Sequence, residues 1–434
     1  MRKALVFKAA FFLGVLSILV PLPGTTGAFA GQALSLEQAV SIALEKNLEV
    51  LSAREELAKA EGKLVYARSG LFPTISVNGS VSRRNEESTK PEDENVGNVS
   101  LSQYLYAGGV ISAGAEQARQ TQAKARQDLR NAEEAVSMKV FDAYTTVLLR
   151  KADEETARDA LAYYANAAKE LGKRFELGLA KKLDYSRAVQ QRESASADYT
   201  RAKNNLSTAR IDLLTLLRMP PEADVEITGG LEAEAASVNR DESVARALAQ
   251  RPDLQGQKTA AAIQKTAVDI ARGGMRPVVT LSASYQFAYD STPASTTADD
   301  EWLATVSMKV PVFDGGTTRG RVMQEQASLN QAEQAAVKKE EAVRAEVIQA
   351  ALSVESTYET VGAARKSLEL ARENLRLAEV GYREGVNTQL DVLSARTTLT
   401  EARQALSGAL KAYRVALAGL WKAEGSLVNR VLNR

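Results

Sequence analysis

The 434-residue sequence predicts a mainly α-helical protein with a membrane β-sheet part, built from two copies of one structural unit. Three observations predict this class. The second half of the chain repeats the pattern of the first half, and long alanine-rich stretches without proline have helical periodicity. In addition, four segments of about ten residues alternate between apolar and polar side chains. We therefore expect long antiparallel, coiled-coil-like helical hairpins and four β-strands per protomer.

Residues 1–30 have the features of a secretory signal peptide that is cleaved from the mature protein. A basic start precedes an apolar run at 11–20, and Ala28-Phe29-Ala30 suits a cleavage site. The run is short and prolines follow it at once, which favours cleavage over a membrane anchor. No later segment reaches the roughly 18 apolar residues that a membrane helix needs. If the mature chain crosses a membrane, it must do so with β-strands.

Composition argues against enzyme chemistry. The chain is 45% apolar and 25% charged, which excludes a disordered protein. It has no Cys and no His, so the thiolate nucleophile, the commonest general base and the commonest metal ligand are all missing. Without residues 1–30 the net charge changes from +1 to about −2, which indicates no nucleic-acid partner. We expect no enzyme activity, no cofactor and no metal site.

An internal repeat covers the chain. Residues 36–84 align with 240–288 at a constant offset, which one short insertion in a polar stretch changes farther on. Matching pairs include Val40 and Val244, Pro73 and Pro277, Gly178 and Gly385, and Asp184 and Asp391. The two repeats are expected at 31–238 and 239–434.

Each repeat is expected to contain one long helical hairpin. Residues 92–219 and 312–434 contain no proline, and apolar side chains there recur in steps of three and four, as in a coiled-coil seam. The seam residues are Leu129, Ala132, Val136, Val140, Ala143 and Val147 in the first repeat, and Val347, Ala351, Val354, Tyr358, Val361 and Leu368 in the second. The predicted hairpins span about 109–218 and 317–424.

Before each hairpin the apolar pattern changes to a period of two. The predicted strands are 73–84 and 96–106 in the first repeat, and 277–289 and 301–313 in the second. Alternation of this length is typical of transmembrane strands, although a soluble, half-buried hairpin alternates in the same way. Large aromatic residues near the loop end of the second pair favour the membrane interpretation. The polar segments between the paired strands, 85–95 and 290–300, suit extracellular loops.

Four strands are too few to cross a lipid bilayer alone. Every backbone N–H and C=O group in lipid must be hydrogen-bonded, so a membrane sheet must close on itself. Single-chain barrels begin at about eight strands. If the strands span the membrane, at least two copies of this chain must therefore share one barrel.

In this order of elements the sequence resembles the TolC-like outer membrane efflux protein family, over about residues 34–424. The residues that carry the resemblance are LSLEQAVSIALEKNLEV, YLYAGGV, VPVFDGGTTRG, RFELGLAKKLDYSRA and GYREGVNTQLDVLSART. The resemblance implies a homotrimer in the outer membrane, with a twelve-stranded barrel and a twelve-helix periplasmic tunnel. It also implies a passive exit duct for small molecules or proteins, which works with a periplasmic adaptor and an inner-membrane pump.

The resemblance places the tunnel entrance at the turns of the helical hairpins. Gly178 and Gly385 suit a positive φ between two helices. With their neighbours Leu179 and Val386 they are implied to form the helical turns and the surface that contacts the adaptor.

The resemblance also implies a gate at these turns. Asp391 would face the lumen and form an anionic ring, weakened because the family's second acidic position is Ser394 here. Tyr382 would bond an acidic residue on the neighbouring hairpin, Asp184, to hold the entrance shut. A gate position that is often basic in relatives is Asn387 here, which argues against a tight latch. Two local alternatives remain open: an acidic residue that complements a helix dipole, and a tyrosine in ordinary helix packing.

The main alternative function is a soluble periplasmic coiled-coil adaptor or scaffold. Adaptors have one long hairpin flanked by small β-domains, whereas here the complete unit of strands and hairpin occurs twice. The repeat therefore favours the export duct.

Overall fold

The computed structural model describes three ranges of the chain: 32–84, 92–290 and 301–432. The predicted signal peptide lies outside these ranges, as do most residues of the two predicted extracellular loops.

In the first repeat, two short helices lead into a strand pair, and a long helical hairpin follows. The elements are β1 (Gln32–Leu34), α1 (Leu36–Lys46), α2 (Leu48–Ser69), β2 (Thr74–Arg84), β3 (Glu92–Ala107), α3 (Val110–Glu176), α4 (Lys182–Leu216) and β4 (Val225–Ile227). The Ser35 hydroxyl accepts a hydrogen bond from the Gln38 backbone N–H, and the Gln38 side chain accepts one from the Ser35 N–H. This capping box fixes the start of α1.

The second repeat has the same order of long elements. They are α5 (Arg240–Gln250), α6 (Pro252–Arg272), β5 (Val278–Asp290), β6 (Glu301–Lys309), α7 (Thr317–Arg383), α8 (Gln389–Glu424) and the short α9 (Leu427–Val431). Helices α3 and α7 each contain 67 residues. At a rise of 1.5 Å per residue, each is about 100 Å long. None of the helices within the described ranges combines the length and the apolar composition that a membrane crossing requires.

The strand bounds differ from the predicted ones by more than one residue at two places. Strand β3 begins at Glu92 rather than at 96, within a polar stretch where alternation gave no signal. Strand β6 ends at Lys309 rather than at 313. Pro311, which has no N–H to donate to a sheet, lies just beyond that end. The predicted extension of β6 was therefore wrong.

The two repeats share one antiparallel sheet, in the order β2-β3-β5-β6. Strand β3 of the first repeat pairs with β5 of the second, with Ser100 opposite Ser284. Within the described residues, β2 and β6 each have a partner on one side only. The protomer therefore presents two free sheet edges. A second, two-stranded sheet pairs β1 with β4 in parallel.

The strand register separates apolar from polar side chains onto two faces. One row across the four strands is Val77, Val99, Tyr285 and Trp302, and the next row, on the opposite face, is Asn78, Asn98, Gln286 and Glu301. On the polar face the Asn78 amide donates to the Asn98 side chain at 2.9 Å. On the apolar face Val77 is 72% exposed and Trp302 is 76% exposed. The apolar face of the isolated protomer is thus open.

Each repeat has its own core near the middle of its long helix, α3 or α7, where the shorter helix of the hairpin ends. In the first repeat, Val136, Val140 and Val147 are buried against α1, α4, β1 and β4. In the second repeat, Val347 and Val354 are buried against α5 and α8. All five residues belong to the predicted seams, so those positions of the helical periodicity are confirmed.

A separate cluster joins the two repeats at mid-length. Phe141 of α3, Ala418 of α8 and Leu427 of α9 form a buried cluster, against which Trp421 packs. Residues 425–432, which we call the strap, contain α9 and cross this junction. Gly425 begins the strap in a left-handed conformation with φ 73°.

Candidate functional site

Both hairpins turn through a glycine with positive φ, as predicted. Gly178 has φ 71° and Gly385 has φ 79°. The turns close in the same way, because the Leu179 N–H donates to the Arg174 carbonyl at 2.7 Å and the Val386 N–H donates to the Gly381 carbonyl at 2.8 Å. Such bonds satisfy carbonyl groups at the end of a helix, and a left-handed residue is needed to make them.

Asp391 lies at the start of α8, where it completes a capping box. Its carboxylate accepts hydrogen bonds from the Thr388 backbone N–H and hydroxyl, both at 2.7 Å. The Thr388 hydroxyl in turn accepts one from the Asp391 N–H at 3.3 Å. These bonds from the Thr388 hydroxyl and backbone lower the pKa of Asp391, so its exposed carboxylate is ionised at neutral pH. The charge is available to solvent, and it also fixes the helix start.

Ser394 and Asn387 lie beside Asp391 in different environments. Ser394 is exposed one turn farther along α8. Asn387 is partly buried and its side chain covers Gly381, where an added Cβ would come within 2.4 Å of the Asn387 amide nitrogen. Asn387 therefore packs on the end of its own hairpin.

The first turn differs from the second in capping and in charge. Lys181 occupies the N-cap of α4 and makes no side-chain cap, while Asp184 lies partly buried in the first turn. Residues 173–187 carry the cations Lys173, Arg174, Lys181, Lys182 and Arg187 and the acids Glu176 and Asp184. Residues 380–394 carry the cation Arg383 and the acids Glu384 and Asp391. The first turn is thus net positive and the second net negative.

Tyr382 contacts the first repeat of its own protomer through an arginine. Its hydroxyl accepts a hydrogen bond from the Arg174 guanidinium, at 3.5 Å. Within the described protomer, the hydroxyl's contact is therefore with Arg174 and not with Asp184.

A second contact between the hairpins lies on α3 farther from the turn, and no sequence pattern predicted it. The Tyr163 hydroxyl donates to the Glu379 carboxylate at 3.3 Å, and the Arg396 guanidinium lies 4.6 Å from the centre of the Tyr163 ring. Burial and the Glu379 carboxylate raise the pKa of Tyr163 to about 12. The phenol therefore stays protonated and keeps its hydrogen bond at any physiological pH.

An open groove of about 880 Å³ separates the hairpins between these two contacts. Its lining includes Tyr163, Glu170, Arg174, Glu379, Tyr382 and Arg383. Side chains of the two hairpins do not fill this groove, so packing between the hairpins is looser here than within the buried cores.

Solved structures of outer-membrane channels have the same architecture. The Campylobacter jejuni CmeC outer membrane channel superposes with a TM-score of 0.80 at 17% identity, over 90% of this chain and 86% of that one. The open state of the Neisseria gonorrhoeae MtrE outer membrane channel gives 0.76 at 22% identity, over 91% and 89%. These likenesses establish the shared fold.

The sequence itself identifies the family. The model of the family described as "Outer membrane efflux protein" matches residues 39–217 and 244–426, and the chain belongs to this family. Among relatives, the outer membrane protein TolC of Vibrio cholerae is 24% identical over 414 residues, which cover 91% of each chain. The protein is accordingly assigned to the outer membrane and to efflux.

We predict that Gly385→Ala destabilises the second turn. A Cβ at this left-handed position is strained even though open space surrounds it, and the cost is about 1–2 kcal/mol. Gly362→Ala is the matched control, because Gly362 lies inside α7 with no neighbour near its Cβ position, and alanine there should stabilise by about 0.5–1 kcal/mol. Denaturant unfolding followed by circular dichroism measures both. Equal shifts for the two variants would contradict the role of the turn.

Proposed function

We propose that the chain is a passive, gated exit duct of the outer membrane, which carries small molecules or proteins out of the periplasm. It works with an inner-membrane pump and a periplasmic adaptor protein. The observation that carries this proposal is the four-stranded sheet, which has one open apolar face and two free edges. In a soluble adaptor or scaffold such a face would be unfavourable, because it would expose a broad apolar surface to water.

The duct is a homotrimer in this proposal. In the order β2-β3-β5-β6, neighbouring strands are antiparallel, so β6 of one protomer runs antiparallel to β2 of the next. Joining these edges satisfies their backbone groups and closes the sheet, as lipid requires. Three copies give twelve strands, with the apolar face toward lipid and the Ser-, Thr- and Asn-rich face toward the lumen.

The helices continue this lumen into the periplasm. Helices α3 and α7, each about 100 Å long, run from the sheet to the glycine turns. Four long helices per protomer give a tunnel of twelve. Its far end carries the exposed apolar side chains Leu179 (71% exposed) and Val386 (81% exposed), beside Gly178 and Gly385. We assign these four residues to adaptor contact.

Gating belongs to the same end. The exposed Asp391 carboxylates of three protomers form an anionic ring at the constriction, with Ser394 beside it. Tyr382 acts as a latch through Arg174 of the neighbouring hairpin, and Asp184 at the turn of that hairpin is a further partner for it. Asn387, which packs on Gly381, supplies no charge to this latch.

The membrane role of the sheet is tested by two neighbouring residues of edge strand β6. Val306→Arg places a charge on the apolar face, where it should cost about 2–4 kcal/mol at the bilayer midplane and reduce the yield of heat-modifiable, SDS-resistant oligomer. Ser307→Arg places the same charge on the polar face and should leave the oligomer intact. Electrophoresis of outer-membrane fractions with and without heating measures both. Recovery of wild-type protein as a soluble monomer would overturn the proposed function.

Charge selection is tested at Asp391. Asp391→Asn keeps an oxygen that can accept the Thr388 bonds but removes the charge, so reconstituted channels should lose cation preference. Asp391→Glu retains the charge and should retain the preference. Reversal potentials in planar bilayers under a salt gradient report the outcome. An unchanged reversal potential for the Asn variant would show that the ring does not select ions.

The latch is tested at Tyr382. Tyr382→Phe removes the hydroxyl that Arg174 contacts, so the channel should open more often and conduct more current in bilayer recordings. Tyr358→Phe makes the same change on the same helix beside the second core, and conductance should stay at the wild-type level. Identical conductance for both variants would remove Tyr382 from the gate.

A further inference from the structure

We propose that the strap, residues 425–432, is an acid-tightened clamp, which holds the two repeats together at mid-length through the buried carboxyl group of Glu134. The strap docks most tightly at acidic pH, and its docking constant decreases toward neutral pH. This inference rests on the junction of the repeats and does not depend on the proposed channel activity.

Glu134 is the anchor of the strap. It lies on α3 of the first repeat and is 7% exposed. Its carboxyl oxygens accept hydrogen bonds from the backbone N–H groups of Leu427, at 3.1 Å, and Val428, at 3.4 Å. These are the first two residues of α9, and Leu427 is fully buried beside them. A group from the first repeat thus fixes the segment that ends the second.

The neighbouring carboxylate of Glu424 is hydrogen-bonded to cations, whereas the hydrogen bonds to Glu134 come from backbone groups. Glu424, 2% exposed at the end of α8, accepts hydrogen bonds from the Arg246 guanidinium at 2.8 Å and from the Arg430 guanidinium at 3.1 Å. It also accepts one from the Ser243 hydroxyl at 2.6 Å. Two cations therefore compensate the charge of Glu424. The hydrogen bonds that Glu134 accepts come from backbone N–H groups, which carry no net charge, and they lower its pKa less than burial raises it.

The charges around Glu134 only partly relieve its burial. Lys422 of α8 lies near enough to lower its pKa, and Glu133 on its own helix raises it. On α9, Arg430 is already bonded to Glu424, and α1 contributes the apolar Leu36 to this junction. Burial is the largest effect, and it raises the pKa of Glu134 to about 7 against its ordinary value of 4.5.

The sign of the pH effect follows from this difference. A carboxyl group that is docked binds its proton more tightly than one that is released to solvent, so docking takes up a proton. The docking constant is therefore largest below pH 4.5, falls between pH 4.5 and about 7, and levels off above pH 7. The total decrease is on the order of a hundredfold.

The junction gives this change a structural consequence. The strap covers the place where Phe141 of α3 meets Ala418 of α8, which is a contact between the two hairpins above the groove. A tighter strap holds the hairpins together at this level, above the groove that lies between them near the turns. The clamp thus sets how far the two repeats can move as separate units.

Hydrogen exchange of the strap amides in the purified protein tests the proposal. After correction for intrinsic rates, protection of residues 425–432 should fall by on the order of a hundredfold from pH 5 to pH 8. Glu134→Gln cannot ionise, so its strap should show no such fall and should exceed wild-type protection at pH 8. Glu133→Gln is the control, and it should keep the fall with a slightly lower midpoint, because a repulsive charge is gone. Equal pH dependence in wild type and Glu134→Gln would overturn the clamp.

Fluorescence gives a second readout that remains useful if Glu134→Gln folds poorly. The chain has two tryptophans, so Trp302→Phe leaves Trp421 as the only tryptophan. Trp421 packs against the buried cluster of Phe141, Ala418 and Leu427 at the strap. In this background, added quencher should reach Trp421 more readily as pH rises from 5 to 8. Leu427→Ala should raise quenching at every pH because it weakens docking without touching the carboxyl group. Quenching that stays constant across this pH range in the Trp302→Phe protein would also overturn the clamp.

Discussion

The pairing of β3 with β5 is the interaction on which the rest of the molecule depends. It joins the strands of the two repeats into one sheet, and by doing so it leaves β2 and β6 as free edges on opposite sides. The same register aligns the apolar rows of all four strands. The apolar face is stable only in contact with an apolar medium, and the backbone groups of the two edge strands need hydrogen-bond partners. The membrane supplies the apolar medium, and the edge strands of further copies of the chain supply the partners.

Local sequence signals predicted most of this architecture. Proline-free stretches located both hairpins, and alternation located all four strands, because periodicity depends only on neighbours along the chain. The seam valines Val136 and Val347 are buried as expected. The ends of β3 and β6 were missed, since a strand can run through polar residues and a proline can stop one early. The sequence did not predict that β3 pairs with β5, because the strands of the two repeats have similar apolar patterns.

At the turns, some residues could be predicted from the sequence and others could not. Gly178 and Gly385 were identified because a tight helix end needs a left-handed residue. Tyr163 and its contacts with Glu379 and Arg396 were missed, since these residues are separated by more than two hundred positions and nothing in their local pattern links them. The capping box of Asp391 shows that a carboxylate can hold a helix start and still present its charge to solvent. Structural and functional explanations of this residue are therefore compatible.

The equal length of α3 and α7 has a consequence for how the protein can change. The helices that lead to the two glycine turns are equally long, because each has 67 residues. Inserting one helical turn into a single repeat would step its end by roughly 5.4 Å relative to the other. In a ring where the hairpin ends of the two repeats alternate, that step would leave the ends at two different heights. An insertion or deletion in one of these helices would therefore need a matching change in the other to keep the two turns level.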